Sequence, residues 1–287
     1  MLITKTYHDV PSKLDPNGKP IRIFVISPNV PNYPQAKIPC EIYQVTGPVE
    51  RFAGQIASHG YVVACPSVYH EFQGPEAIPY DTEGTDRGNR FKIEKEVAAY
   101  DEDASLAVDL LTSLSSCNGR IGATGMCLGG HLAFRAAFDP RVLASFCFFA
   151  TDIHSATLGK GKKDDSLEKV RAGKLQGEVV VRDLRSYPTR ATPDHAHEQM
   201  VFGKQDTHVP RAGRDLIRQT LEDANVTATF IEVQAQHAFI RDESSKGRWD
   251  AALTRSLFSF LLEVFERNIG RDMGPKVVDN KPLEHVC

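Results

Sequence analysis

A thiol, a carboxylate and an imidazole stand on three separate turns of this chain, in an order that suits nucleophilic attack on a carbonyl. The thiol is Cys127, at the apex of the run Ile121-Gly-Ala-Thr-Gly-Met-Cys-Leu-Gly-Gly130. That run reads as a buried strand, a tight turn on small residues and then a helix, the G-x-S-x-G nucleophile elbow with sulfur in place of the serine oxygen. Gly125 and Gly129 flank the turn because side chains there would collide where the strand folds back on the helix. The unpaired N–H groups at the start of the helix favour a thiolate and can hold an oxyanion. Cysteine is also among the most buried residue types, so the motif taken alone fits an inert core thiol as well.

Two downstream residues supply what a thiol nucleophile lacks, a base and a group to orient that base. Met200-Val-Phe-Gly-Lys-Gln-Asp206-Thr-His-Val-Pro210 is a short apolar strand running into a turn that carries Asp206. A β-rich run over residues 227–233 then ends in Gln-Ala-Gln-His237-Ala-Phe. Asp206 and His237 therefore each follow the C-terminal end of an expected strand, where open α/β sheets place their chemistry. The order nucleophile, acid, histidine is that of α/β-hydrolases. Taken singly, Asp206 reads equally well as a turn former and His237 as a loop histidine.

With Cys127 in Gly-Met-Cys-Leu-Gly-Gly, Asp206 in Phe-Gly-Lys-Gln-Asp-Thr-His-Val-Pro and His237 in Gln-His-Ala-Phe-Ile-Arg-Asp-Glu, the chain resembles the dienelactone hydrolase family from about Ile21 to about Asn268. The resemblance implies an α/β-hydrolase fold, a mostly parallel central sheet with helices on both faces, and metal-free hydrolysis of lactones and related esters. It also implies a glutamate that meets the thiol and two arginines that hold a substrate carboxylate. Glu41 fits the glutamate and Arg241 one arginine. Arg87 is preferred for the second, with Arg90 close behind.

The roles follow from side-chain chemistry. Cys127 is deprotonated by His237, which Asp206 orients. A Glu41 carboxylate against the sulfur disfavours a standing thiolate by like-charge repulsion and protects it from oxidation. The amides of Leu128 and Ile42 are the expected oxyanion donors. Arg241 and Arg87 suit an anionic substrate through bidentate pairing, although Arg241-Asp-Glu reads equally as a solvated surface cluster.

Two stretches depart from the family pattern. The proline-rich segment Ser-Pro-Asn-Val-Pro-Asn-Tyr-Pro-Gln-Ala-Lys-Ile-Pro-Cys before Glu41 contains no apolar run of strand length, so a central strand is expected to be truncated or rearranged there. A polar insert near 182–198 has no helical or strand periodicity and is expected to split one strand, 178–181 from 200–202. His195 and His197 lie in it without a third ligand nearby, so no metal site is expected.

The remaining elements are ordinary. Helices are expected over 49–59, 94–115, 211–224 and 249–268, strands over 21–26, 61–65 and 142–149, a pocket-wall loop over 67–89 and a loose tail over 269–287. The 287 residues are expected to form a single domain. A net charge of −3 gives no reason to expect nucleic acid or anionic membrane as a partner. No signal peptide, spanning segment or prenylation box is read, and the six cysteines (Cys40, Cys65, Cys117, Cys127, Cys147, Cys287) show no C-x-x-C spacing. A cytoplasmic enzyme with free thiols, no cofactor, a small ester or lactone as substrate and a monomeric or homodimeric state is the expectation. The same constellation also suits a broader carboxylesterase or thioesterase, or a non-catalytic binding or redox-sensing homologue. A glutamine-amidotransferase-like protein also sets cysteine on an elbow, but lacks this downstream order.

Overall fold

A computed structural model describes residues 2–29, 33–37, 44–175 and 197–270. Eight strands form one sheet: β1 (Ile3–Val10), β2 (Ile21–Pro28), β3 (Tyr33–Lys37), β4 (Val62–Pro66), β5 (Cys117–Met126), β6 (Val142–Phe148), β7 (His197–Gly203) and β8 (Ala228–Val233). Their order across the sheet is β1-β2-β4-β3-β5-β6-β7-β8. The β1–β2 and β2–β4 pairs are antiparallel and all the others parallel.

Parallel strands need crossovers, and helices supply them on both faces. One face carries α1 (Gly47–Ser58) and α7 (Ala251–Phe265), whose Val49, Phe52, Ile56, Leu257, Leu261 and Phe265 bury against Ile26, Val63, Phe146 and Val201. The other carries α3 (Val97–Ser113), α4 (Leu128–Ala136), α5 (Ser166–Arg171) and α6 (Arg211–Asp223), with Leu106, Leu111, Phe134, Val170 and Ile217 packed over Ile23, Ala123, Cys147 and Phe202. Each such side chain contributes about 1.5–3 kcal/mol of burial, so the apolar stripes hold these helices in place. A third cluster joins Val68, Tyr69 and Ile78 to Phe91 of α2 (Thr82–Glu94) and to Leu128 and Leu132 of α4.

The central strand before Glu41 is truncated, one of the two outcomes expected: β3 is five residues long and lies between β4 and β5, parallel to both. Its Pro34 falls where the β3–β5 register shifts between Tyr33 and Gln35, a place where a sheet tolerates proline. The second half of the expected 67–89 loop is helix α2. Its cap is Asp81, whose side chain accepts the Gly84 amide at 2.6 Å. The long helix expected over 94–115 is α3, which begins at Val97, after Lys95 and Glu96 in extended backbone part it from α2. Lys95 is drawn inward there, its Nζ 2.7 Å from Glu71 and 2.8 Å from Asp103.

The expected insert ends earlier than 198, because β7 begins at His197 and buries His197, Glu198 and Gln199 despite their polarity. Residues 178–196 lie outside the described set, so the idea of a split strand has no counterpart among the described residues. The loose tail cannot start at 269: Glu266–Gly270 form a π turn continuing α7, and Ile269 is fully buried. Among the described residues no helix is long and apolar enough to cross a membrane.

Candidate active site

The bend at Cys127 is held by close backbone contact. A Cβ on Gly125 would lie 2.2 Å from the Gly129 carbonyl oxygen, and one on Gly130 would lie 2.6 Å from the Phe148 carbonyl oxygen. Cys127 itself has φ +56°, in a region non-glycine residues rarely enter. Its amide donates to Phe148 O at 3.0 Å, and its carbonyl accepts from His131 at 3.2 Å and Thr151 at 3.3 Å. These bonds hold the strained residue at the junction of β5 and α4, a common device at functional sites. Leu128 is the first residue of α4, where the helix offers its amide no acceptor.

Asp206 and His237 are brought together by the ends of β7 and β8. A Cβ on Gly203 would meet the Ala235 carbonyl oxygen at 2.3 Å, so glycine lets the two strand-end turns touch. Lys204 and Gln205 amides donate to Val233 O and Ala235 O at 2.8 and 3.0 Å. His237 Nδ1 donates to Asp206 Oδ2 at 2.8 Å, while Asp206 Oδ1 accepts the His208 and Val209 amides at 2.8 and 3.3 Å. Both residues are buried. Burial raises the Asp206 carboxyl, but the bond and charge of His237 and the two amides outweigh it and hold the group below its ordinary value.

His237 shows the opposite balance. Burial pulls its proton affinity down, yet the Cys127 charge, the hydrogen bonds to Asp206 and Cys127 and the Asp206 charge carry it up to about 9. Its Nε2 is buried and faces no other acceptor among the described residues than the Cys127 sulfur. Phe149 meets the ring edge-on at 4.9 Å, and the His208 ring lies 4.3 Å from it on another side.

Arg241 does not belong to a solvated cluster. Asp242 and Glu243 pair instead with Arg51 of α1 at 2.7 and 3.0 Å. Arg241 is buried, donates to Ser244 O at 2.9 Å and lies 4.4 Å over the ring of Tyr80, whose hydroxyl donates to Thr46 at 2.7 Å. Tyr80 packs on the apolar cluster that contains Leu128, which links this guanidinium to the elbow. Arg87 is half-buried on α2, 3.8 Å from Glu83 and with a buried Nε that no described acceptor meets, whereas Arg90 is exposed and lies 3.8 Å from Glu94. Glu41 and Ile42 lie outside the described residues.

Sequence reasoning did not single out His208, Phe149 or Tyr80. His208 stood in the quoted motif, two residues after Asp206; Phe149 and Tyr80 carry no local signal, being positioned only by the assembled fold. Four described cysteines, Cys65, Cys117, Cys127 and Cys147, are unpaired by disulfides. Burial pushes the Cys65 thiol up to about 12 and the Cys117 thiol to about 11, as expected of inert core thiols. No group of three or more metal-binding side chains occurs among the described residues.

Comparison with known proteins bears on the family and the fold. Residues 21–268 match the sequence model of the dienelactone hydrolase family. A Saccharomyces cerevisiae protein named "Putative carboxymethylenebutenolidase" is 53% identical over 294 residues, covering 100% of each chain. The carboxymethylenebutenolidase of Pseudomonas putida is 24% identical over 230 residues, covering 80% of this chain and 84% of that one. Among solved structures, a "Putative Dienelactone Hydrolase" from Klebsiella pneumoniae superposes with a TM-score of 0.71 at 16% identity, over 93% of this chain and 100% of that one. The shared architecture is the α/β-hydrolase fold.

Proposed function

This chain belongs to the dienelactone hydrolase family, and from that membership and the arrangement around Cys127 we propose that it hydrolyses a small, carboxylate-bearing lactone or ester through a thioester intermediate. The observation that carries the reading is the 2.8 Å bond from His237 Nδ1 to Asp206 beside a thiol on a strained bend. That bond orients the imidazole, and the raised proton affinity of His237 suits it to hold the proton of the thiol at Nε2.

In the first half-reaction the Cys127 sulfur, its proton held on His237 Nε2, attacks the substrate carbonyl carbon. The carbonyl oxygen becomes an oxyanion, held by the Leu128 amide and, on the family pattern, by that of Ile42. Collapse of the tetrahedral intermediate breaks the carbon–oxygen bond, and His237 returns the proton to the leaving alkoxide. In the second half, water gives a proton to His237 and attacks the thioester. Collapse releases the carboxylic acid, and the proton goes back to the sulfur. The buried Phe149 and the His208 ring flank the imidazole and limit water access to it.

Arg241, stacked on Tyr80, is assigned to the substrate carboxylate, and the unpartnered Nε of Arg87 favours it over Arg90 for the second contact. Glu41 is assigned the restraint on the resting thiol. Unpaired described thiols suit a reducing cytosol, which we propose as the enzyme's location. The substrate is the one partner this chemistry requires.

The test is turnover of chromogenic aryl esters and of unsaturated lactones, with iodoacetamide labelling mapped by mass spectrometry. Activity should vanish as Cys127 is alkylated and be absent in Cys127→Ala, with Cys127→Ser keeping a trace. An alanine variant as active as the parent, or labelling at Cys127 with no turnover of any ester or lactone, would overturn the assignment.

A further inference from the structure

The first strand of the sheet has an open side. β1 pairs with β2 over its whole length, from Ile3 opposite Pro28 to Val10 opposite Ile21, and among the described residues no strand lies beyond it. Nearly all its residues are exposed, and the neighbouring exposed apolar side chains include Tyr7 at 56% and Leu2 at 78%. An exposed edge of this length is a template for another strand.

The hydrogen-bond parity of the edge can be read directly. The Asn29 amide donates to Leu2 O at 2.9 Å, and these two residues continue the β1–β2 register as a directly opposed pair. In an antiparallel ladder bonded pairs alternate with non-bonded ones, so Thr4, Thr6 and His8 bond toward β2. The backbone groups of Ile3, Lys5, Tyr7 and Asp9 therefore point away from the sheet. The β2–β4 pair has the complementary parity, Ser67 donating to Arg22 O at 2.8 Å, which leaves the odd-numbered residues of β2 to β1.

We propose that this edge joins a second copy of the chain, β1 to β1 in antiparallel pairing about a two-fold axis at Tyr7. A two-fold contact must be self-complementary, and few registers connect outward-facing groups on both strands. An axis at Lys5 opposes two lysines. An axis at Thr6 sets Ile3 against Asp9, and one at His8 opposes two histidines and leaves Lys5 against Pro11. With the axis at Tyr7, Lys5 faces Asp9 of the other copy on both sides and Thr6 faces His8. The two Tyr7 rings become cross-strand neighbours, and opposite charges directly across a ladder stabilise it where like charges do not.

Charges already fixed within each copy extend the match. Lys5 pairs with Glu50 of α1, and Asp9 takes both arms of Arg22, whose guanidinium lies 4.0 Å over Tyr7. In the dimer these become a line of alternating sign, Glu50–Lys5–Asp9–Arg22, crossing from one copy to the other on one face of a continuous sheet. The same charges obstruct other registers, which is how an edge is kept selective.

The test is sedimentation of the full chain across micromolar concentrations, beside Tyr7→Pro. The Tyr7 amide points outward, so proline there removes a donor between copies and leaves the β1–β2 ladder whole. The wild type should sediment as a dimer and Tyr7→Pro as a monomer with unchanged circular dichroism. Independently of how that variant folds, Tyr7→Cys should give a disulfide-linked dimer under oxidation, because bonded partners lie about 5.5 Å apart at Cα. Lys5→Cys should not, its two copies being offset by about 13 Å along the strands. A monomeric wild type overturns the proposal. So does a dimer indifferent to Tyr7→Pro, or one that crosslinks no better from position 7 than from position 5.

Discussion

Gly125 and Gly129 touch across the bend that carries Cys127: a Cβ on the first would stand 2.2 Å from the carbonyl oxygen of the second. The obstacle is backbone, which cannot rotate aside as a side chain can. Gly125→Ala should therefore cost at least about 3 kcal/mol, at the upper end of overpacking penalties. Urea denaturation measures this, and a variant of wild-type stability would mean that the bend relaxes freely.

In the proposed mechanism Asp206 orients His237, so Asp206→Asn should lower kcat by roughly 10⁴, as loss of the correct tautomer does in serine hydrolases. The variant also separates two pH effects on stability. His237 is raised from its ordinary 6.5 to about 9, so its contribution is fully present below 6.5 and lost as pH rises through 9. Asp206 is depressed below 3.8, so its contribution is present above that value and lost as pH falls through the folded one. The stability gap between wild type and Asp206→Asn should thus be widest between about pH 4 and 6.5, shrinking on either side. Thermal melts from pH 3 to 10 measure the gap, and one that grows from pH 6.5 to 9 contradicts the pairing.

Substrate charge should be read by Arg241. Arg241→Ala should raise KM about 10- to 100-fold for carboxylate-bearing substrates, the scale of one charged hydrogen bond, with little change for neutral esters. Arg241→Lys should rescue poorly, because an ammonium loses both the planar fork and the stacking on Tyr80. Equal effects on charged and neutral substrates would remove the case for an anionic ligand.

Lys95 is completely buried between Glu71 and Asp103, and His70 Nε2 contacts the same Asp103 at 3.1 Å. Lys95→Met leaves a buried carboxylate without its cation and should cost about 3–5 kcal/mol. Pairing it with Asp103→Leu should recover much of that loss. A double variant no more stable than the single one would show that the cost lies in packing rather than charge.

The elbow, the order of Asp206 and His237 and most helices were legible because each has a local cause: glycine spacing, a turn after an apolar strand, a 3.6-residue stripe. What was missed lacks one. β3 is five residues long with a proline, and only its neighbours β4 and β5 make it a strand. Helix α2 contains Gly84 and Gly88 among charged residues, a poor helical composition rescued by the Asp81 cap and by Phe91 stacking on Phe72. α3 starts at Val97 rather than 94 because Lys95 is drawn inward to Glu71 and Asp103, contacts that no local pattern announces. β1, exposed on both faces, has none of the apolar alternation that marks a half-buried strand.

The π turn at Glu266–Gly270 has a consequence for how the protein is made. Ile269 and Phe265 close over Gly122, a Cβ there meeting them at 3.1 and 3.0 Å, while Arg120 and Asn118 donate to the carbonyls of Asn268 and Ile269. The strand that presents Cys127 is thus sealed from beneath by almost the last described residues to leave the ribosome. During vectorial synthesis the first half of β5 therefore stays uncovered until those residues emerge, whereas the bend at Cys127, held by Phe148 and Thr151, can already form.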